Sequence, residues 1–168
     1  MTDADDRRRA REMLDLEEGR GPVPLLDDAG IESLLRSSRR IAVIGASPRP
    51  GRPSHDVLVA LRARGWDAVP VTPVAEEIAG SRAYPTLAAA VAETGPFDIV
   101  DIFRRAEACP AHAREAVEVG GTRCLWLQLG IVSWEAARIA TAGGLLVVMD
   151  RCSLVEVARI FGATVRAD

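Results

Sequence analysis

Between Ile41 and Ser54 the chain reads IAVIGASPRPGRPS, and the chemistry available to that stretch is anion binding. An apolar run stops at Gly45, passes through Ala46, Ser47, Arg49 and Arg52, and restarts at Pro53 and Ser54 with a helical pattern. A buried parallel strand delivers such a loop to the carboxyl edge of a sheet, where open α/β folds bind their ligands. The helix that follows turns unpaired N–H groups and the positive end of its dipole toward a phosphate. Pro53 suits the first helical turn, because the N–H that it lacks would have no partner there. Arg49 and Arg52 contribute planar donors that match phosphate oxygens. The same residues also suit a plain strand–helix connection; the coincidence of strand end, serine and arginine favours binding.

Other residues with chemical potential are scattered. His55 falls in the first turn of a predicted helix and His112 in another, and both read as structural rather than catalytic. Cys109, Cys124 and Cys152 are too few for a disulfide framework, and no CxxC pair suggests zinc. Cys152 precedes a helix start, where a dipole lowers a thiol's pKa, although most such cysteines simply pack. Asp101 falls inside a strand, and Asp150 beside Arg151 reads as an ion pair or loop brace. No catalytic residue and no metal set emerges. All 21 basic residues are arginine, a bias that codon usage explains. Without lysine there is no Schiff base for pyridoxal phosphate and no Walker A loop.

The elements that must position these residues follow from hydropathy and punctuation. At 168 residues and net charge −3 there is room for one domain with a real core, and no basic field that would argue for nucleic acid. No apolar run approaches the roughly 20 residues of a membrane span. The charged N-terminus lacks the apolar core of a signal peptide, so a cytoplasmic chain is expected. Residues 1–24 read as a charged extension with a helix over 6–17 and a Gly/Pro linker; 25–168 form the domain. Asp27 or Asp28 caps a helix to about Ser37. Strands are predicted at 40–44, 66–71, 98–102, 123–127 and 145–149. Helices are predicted at 53–64, 86–93 and 110–119, then one capped by Ser133 and a last one starting at Ser153. Ser153 and Glu156 have the spacing of a capping box. This alternation predicts an α/β, Rossmann-like parallel five-stranded sheet, helices on both faces, in strand order 3-2-1-4-5.

The loops at the carboxyl edge then carry Gly45 to Ser54, Thr72-Pro73, Phe103-Arg104-Arg105, Gln128-Leu129-Gly130-Ile131 and Asp150-Arg151-Cys152. A nicotinamide dinucleotide wants G-x-G-x-x-G and an acid at the end of the second strand. Here Ser47 takes the second glycine's place and the strand ends in Val71-Thr72-Pro73. Both departures weigh against NAD.

Taken in order, these segments carry a specific resemblance. The set is IAVIGAS (41–47) with Arg52-Pro53-Ser54, PVTP (70–73), Tyr84-Pro85, DIVDIFRR (98–105), WLQLGI (126–131) and VMDRC (148–152). It resembles small bacterial CoA-binding proteins, which are similar to the CoA-binding domain of succinyl-CoA synthetase α subunits and ADP-forming acyl-CoA synthetases. The resemblance spans about residues 38–161. It implies a Rossmann-like domain that binds coenzyme A, with no catalytic residue assigned. By that likeness Gly45, Ala46, Ser47, Arg52, Pro53 and Ser54 form the phosphate loop, and Thr72 and Pro73 border the nucleotide. Phe103, Arg104 and Arg105 flank the adenine or its phosphates, and Gln128, Gly130 and Ile131 line the pantetheine side. Thr72 departs from the family's usual asparagine, keeping a hydroxyl but losing the amide.

The expected function is therefore non-catalytic binding of a small-molecule ligand, CoA or an acyl-CoA, with no nucleic acid or membrane partner. A protein partner is left open. Two alternatives stand beside it: a detached subunit of an acyl-CoA synthetase, and an NAD(P)-binding oxidoreductase or redox sensor.

Overall fold

The computed structural model describes residues 2–163. Met1 and residues 164–168, the last of the 25–168 segment, lie outside the described residues. In chain order the elements are α1 (Asp3–Glu17), α2 (Asp28–Ser37), β1 (Arg40–Ile44), α3 (Pro53–Ala63) and β2 (Asp67–Val71). A small hairpin, β3 (Glu77–Ile78) and β4 (Ser81–Arg82), leads to α4 (Leu87–Thr94) and β5 (Ile99–Ile102). A 3-10 turn (Ala106–Ala108) then enters α5 (Cys109–Val119), followed by β6 (Cys124–Leu127), α6 (Trp134–Ala142), β7 (Leu146–Val148) and α7 (Ser153–Phe161).

The helix starts follow local chemistry. Asp27 caps α2 by accepting the Gly30 N–H at 2.8 Å, and Thr86 and Ser133 accept the N–H of Ala89 (3.1 Å) and Ala136 (3.3 Å). Pro53 occupies the first turn of α3. The capping box expected at Ser153 does not form. Cys152 is the N-cap of α7 and gives no side-chain cap, while Glu156 pairs with Arg151 and Arg159. The Ser153 hydroxyl is drawn inward instead, to a buried carboxylate described below.

The five parallel strands order as β2-β1-β5-β6-β7. Counting the large-sheet strands along the chain, this is 2-1-3-4-5, which corrects the expected 3-2-1-4-5. Two features of the sequence account for it. Pro70, opposite Val43, has no N–H to donate and suits an edge strand. That outer edge is partly covered by Tyr84, whose N–H donates to Pro70 O (3.1 Å) and whose carbonyl accepts from Thr72 N (2.7 Å). The start of β5 is in turn clamped to β1, because Asp98 Oδ2 accepts the backbone N–H groups of Arg39 (2.7 Å) and Arg40 (2.9 Å).

Side-chain alternation divides the core between the two faces. Ala42, Ile44, Val100, Ile102, Leu125 and Leu127 pack under α4, α5 and α6. Ile41, Val43, Ile99, Cys124 and Trp126 pack under α2, α3 and α7. Helix α1 packs against this core: Met13 and Leu16 rest on the first cluster, and the Trp134 indole N–H donates to Glu12 O at 3.1 Å.

Removing the clamp tests the strand order's physical basis. Asp98→Ala leaves two backbone donors without their acceptor and is expected to lower stability by about 1–3 kcal/mol. Urea denaturation reads this, and an unchanged midpoint would show that the clamp does not hold β5 to β1.

Candidate functional site

The carboxyl ends of β1 and β5 form the switch point of the sheet. From here the chain leaves β1 for α3 on one face and leaves β5 for α5 on the other, which opens a crevice between them. Gly45 ends β1 with φ +79°, its N–H donating to Val71 O at 2.9 Å. A Cβ at this position would lie 2.7 Å from the Phe103 carbonyl oxygen and 2.8 Å from Arg104 Cδ. Both the backbone angle and the close approach therefore demand glycine.

Beyond Gly45 the loop is held by its own polar groups. Ser54, buried at the start of α3, accepts the Ser47 N–H at 3.1 Å, and Ser47 Oγ accepts the Arg49 N–H at 3.2 Å. Asp56 accepts the Gly51 N–H at 2.9 Å and meets His55 Nδ1 at 3.2 Å. The Gly51 N–H, with His55 next, holds the Asp56 carboxyl below the usual range. His55 thus serves as a brace. Ala46 is buried, whereas Arg52 and Pro53 are exposed, with Arg52 at the N-cap and no side chain capping α3.

The structure gathers most of the predicted residues along this edge. A cavity of about 170 Å³ beside Gly45 is lined by Thr72, Pro73, Arg104, His112 and Glu115, among others. Thr72 is buried, its Oγ1 accepting the Val74 N–H at 3.4 Å. Phe103 is half-buried against the α3 side of the core, and Arg104 and Arg105 follow it at the surface. Arg105, Gly130 and Ile131 line a second cavity of about 620 Å³ farther along the edge. Asp150, at φ +57°, accepts the Gly130 N–H at 2.6 Å and so braces that loop, while Arg151 pairs with Asp28 and Glu156.

Gln128 lies at the same edge but turns its amide inward. Its Nε2 donates to Asp101 Oδ1 (2.8 Å) and Oδ2 (2.9 Å) and to Ser153 Oγ (2.8 Å). The Ser153 hydroxyl donates to Asp101 Oδ2 at 2.6 Å. Asp101 is 0% exposed, with Val43 and Trp126 as its neighbours on adjacent strands. Burial raises its pKa to about 7, against the opposing pull of the Ser153 and Gln128 hydrogen bonds. Sequence reasoning placed Asp101 in its strand and missed this network. The available signal was a carboxylate on an otherwise apolar strand face.

The remaining titratable groups read simply. Burial raises the thiols of Cys109, to about 12, and Cys124, and lowers His112. Among the described residues no group of three or more His, Cys, Asp or Glu is placed to hold a metal ion. None of their helices is long and apolar enough to cross a membrane.

A parallel five-stranded sheet, helices on both faces and a glycine-ended first strand at the switch point define a Rossmann-like α/β protein. Within that class the chain belongs to the CoA binding domain family, which it matches over residues 39–158. It is 40% identical over 124 residues to the uncharacterized protein YneT of Bacillus subtilis (strain 168), a span of 74% of this chain and 89% of that one. It superposes on a hypothetical protein from Pyrococcus horikoshii OT3 with a TM-score of 0.76 and 31% identity, covering 82% of this chain and 94% of that chain. A dinucleotide forming acetyl-coenzyme A synthetase 1 of Ca. Korarchaeum cryptofilum, solved in complex with phosphate and ADP, superposes with a TM-score of 0.59. There the identity is 20%, over 71% of this chain and 28% of that chain, and the likeness is one of fold.

Two substitutions probe this geometry. Gly45→Ala is expected to cost at least about 1–3 kcal/mol for the backbone angle alone, read as a lowered urea midpoint. A wild-type midpoint would show that neither the backbone angle nor the approach of the Phe103 carbonyl demands glycine at this position. For Asp101, the unfolded carboxyl titrates near 4 whereas the folded one titrates near 7. The folded state holds the proton more tightly, so this group's contribution is complete below about pH 4 and is lost as pH rises through about 7. Asp101→Asn removes that dependence. Its stability relative to wild type should improve from about pH 4 to pH 7 and then level off, and a pH-independent difference would refute the buried-carboxyl assignment.

Proposed function

We propose that this protein binds coenzyme A, free or acylated, through its ADP phosphates at the carboxyl edge of the sheet, and that it acts by recognition rather than catalysis. One observation carries the reading. Arg49 and Arg52 belong to the loop that follows Gly45, Arg104 lines the cavity beside Gly45 and Arg105 the next cavity along the edge; all four are exposed, and none makes an ion pair among the described residues. Elsewhere most arginines are engaged: Arg40 with Asp67, Arg82 with Glu93, Arg151 with Asp28 and Glu156. Exposed guanidinium groups along one edge that make no ion pair attract a polyanion, and a nucleotide bearing a pyrophosphate and a further phosphate is one.

In this reading Gly45, Ala46 and Ser47 bring backbone close to the phosphates, with Arg52, Pro53 and Ser54 at the start of α3. Thr72 and Pro73 border the nucleotide. Phe103 and the two following arginines flank it, and Gly130 and Ile131 line the pantetheine. Gln128 contributes by holding its loop on Asp101 rather than by contact. Membership of the CoA binding domain family supports the choice of ligand. The NAD(P) alternative is weakened because β2 ends at Val71 and Thr72 with no carboxylate, while Asp67 sits at its far end and pairs with Arg40.

Calorimetric titration with CoA, acetyl-CoA, NAD⁺ and ADP tests the proposal. CoA is expected to bind, and Arg52→Ala to weaken it about 10- to 100-fold, the worth of one charge-assisted contact. Binding of NAD⁺ without CoA would replace this reading with a redox one. CoA affinity unchanged by Arg52→Ala would move the phosphates away from the Gly45–Ser54 loop.

A further inference from the structure

Helix α1 lies outside the 39–158 stretch that matches the family, yet it walls the ligand edge. Three successive residues of one side hold it there. Arg9 pairs with Glu107 in the 3-10 turn after Arg105, Glu12 O accepts the Trp134 indole N–H at 3.1 Å, and Met13 packs on the core. Between α1 and the loops after β5 and β6 opens the cavity of about 620 Å³, lined by Arg9, Met13, Arg105, Gly130, Ile131 and Val132 among its residues. Arg105, Gly130 and Ile131 belong to the proposed CoA edge. The other walls continue that edge past the end of β6.

We infer that this cavity receives the acyl group of an acyl-CoA thioester, with α1 supplying the wall that makes acyl ligands preferred over free CoA; the inference rests on the CoA reading above. Its volume falls in the range of about 300–1,000 Å³ typical of small-molecule pockets. A bare thiol would fill little of it, given that even a water molecule occupies about 30 Å³. Beyond the residues shared with the CoA edge its walls include the apolar side chains of Met13 and Val132, and a methionine adapts readily to chains of differing shape. The Arg9 charge is countered by Glu107, which suits an uncharged chain rather than a second anionic group. Arg105, at the junction with the phosphate-binding arginines, remains for the polar part of the ligand.

The test uses the full chain, titrated by calorimetry with CoA and hexanoyl-CoA. Each methylene that the cavity buries should tighten binding roughly fourfold. Hexanoyl-CoA is therefore expected to bind at least about tenfold more tightly than CoA. Met13→Trp fills the cavity and should abolish the preference while leaving CoA affinity within about twofold, less than one methylene is worth. Leu14→Trp, on the exposed side of the same helix at 45% exposure, should keep the preference and shows that a tryptophan in α1 is tolerated. Equal affinity for the two ligands in the wild-type chain, or a preference that survives Met13→Trp, overturns the acyl cavity and leaves the CoA reading in place. Binding of neither ligand overturns both.

Discussion

The crevice at the carboxyl edge depends on the pairing of β1 with β5, which brings the last residues of two strands side by side and then sends the chain away to opposite faces. The register sets Ile44 opposite Ile102, and the Phe103 N–H still donates to Ile44 O at 2.9 Å, so order persists to the edge itself. Gly45 sits where the two chains separate, too close to the Phe103 carbonyl for any side chain. The crevice is therefore a product of topology and close packing together. A strand order that placed β5 elsewhere would leave Gly45 without its neighbour and the arginines of the two loops far apart.

Charge is distributed unevenly over this frame. Exposed ion pairs are worth little each, and the paired arginines on the helices and strand edges contribute mainly to surface character. Along this edge Arg49, Arg52, Arg104 and Arg105 are exposed and make no ion pair among the described residues, although Glu115 shares the cavity of Arg104 and Glu107 feels the charge of Arg105. Helix α1 extends the arrangement: it brings Arg9 already neutralised by Glu107, together with apolar surface from Met13. Along a single edge the character thus passes from cationic at the Gly45 loop to largely apolar beneath α1.

Behind the edge, the Asp101–Gln128–Ser153 cluster ties β5, β6 and the start of α7 to one buried point. An apolar residue at Asp101 would leave the Gln128 amide and Ser153 hydroxyl buried without that acceptor, at a cost of about 1–3 kcal/mol per unsatisfied group. The cluster also explains why Ser153 abandons the capping geometry that its spacing with Glu156 suggests. The Ser153 Oγ is turned inward, donating to Asp101 and accepting the Gln128 amide N–H, so that oxygen is taken from the first turn of α7, and Arg151 and Arg159 take Glu156. Asp150 performs the same task at the surface, bracing Gly130 from a left-handed backbone conformation.

Much of this was legible in one dimension. Apolar runs of strand length between helical stretches dictated the five strands and the α/β class, because hydrophobic periodicity and Gly/Pro punctuation are local properties. The glycine that ends the first strand and the helix start at Pro53 were legible for the same reason, since residue types and spacing there suffice. The strand order was not, although Pro70 marked its strand as an edge, because pairing partners are chosen across the whole chain. Nor could spacing reveal that the Gln128 amide turns inward or that Asp101 titrates far above its usual range; desolvation and hydrogen bonding arise only once β5, β6 and α7 meet. The position of α1 against Glu107 and Trp134 is likewise a long-range outcome, its sequence signal being no more than Met13 and Leu16 on one helical side. Local patterning by itself determined the elements and the glycine-ended turn after the first strand, while the tertiary structure decided which loops share the crevice, which polar groups are buried and what walls its far end.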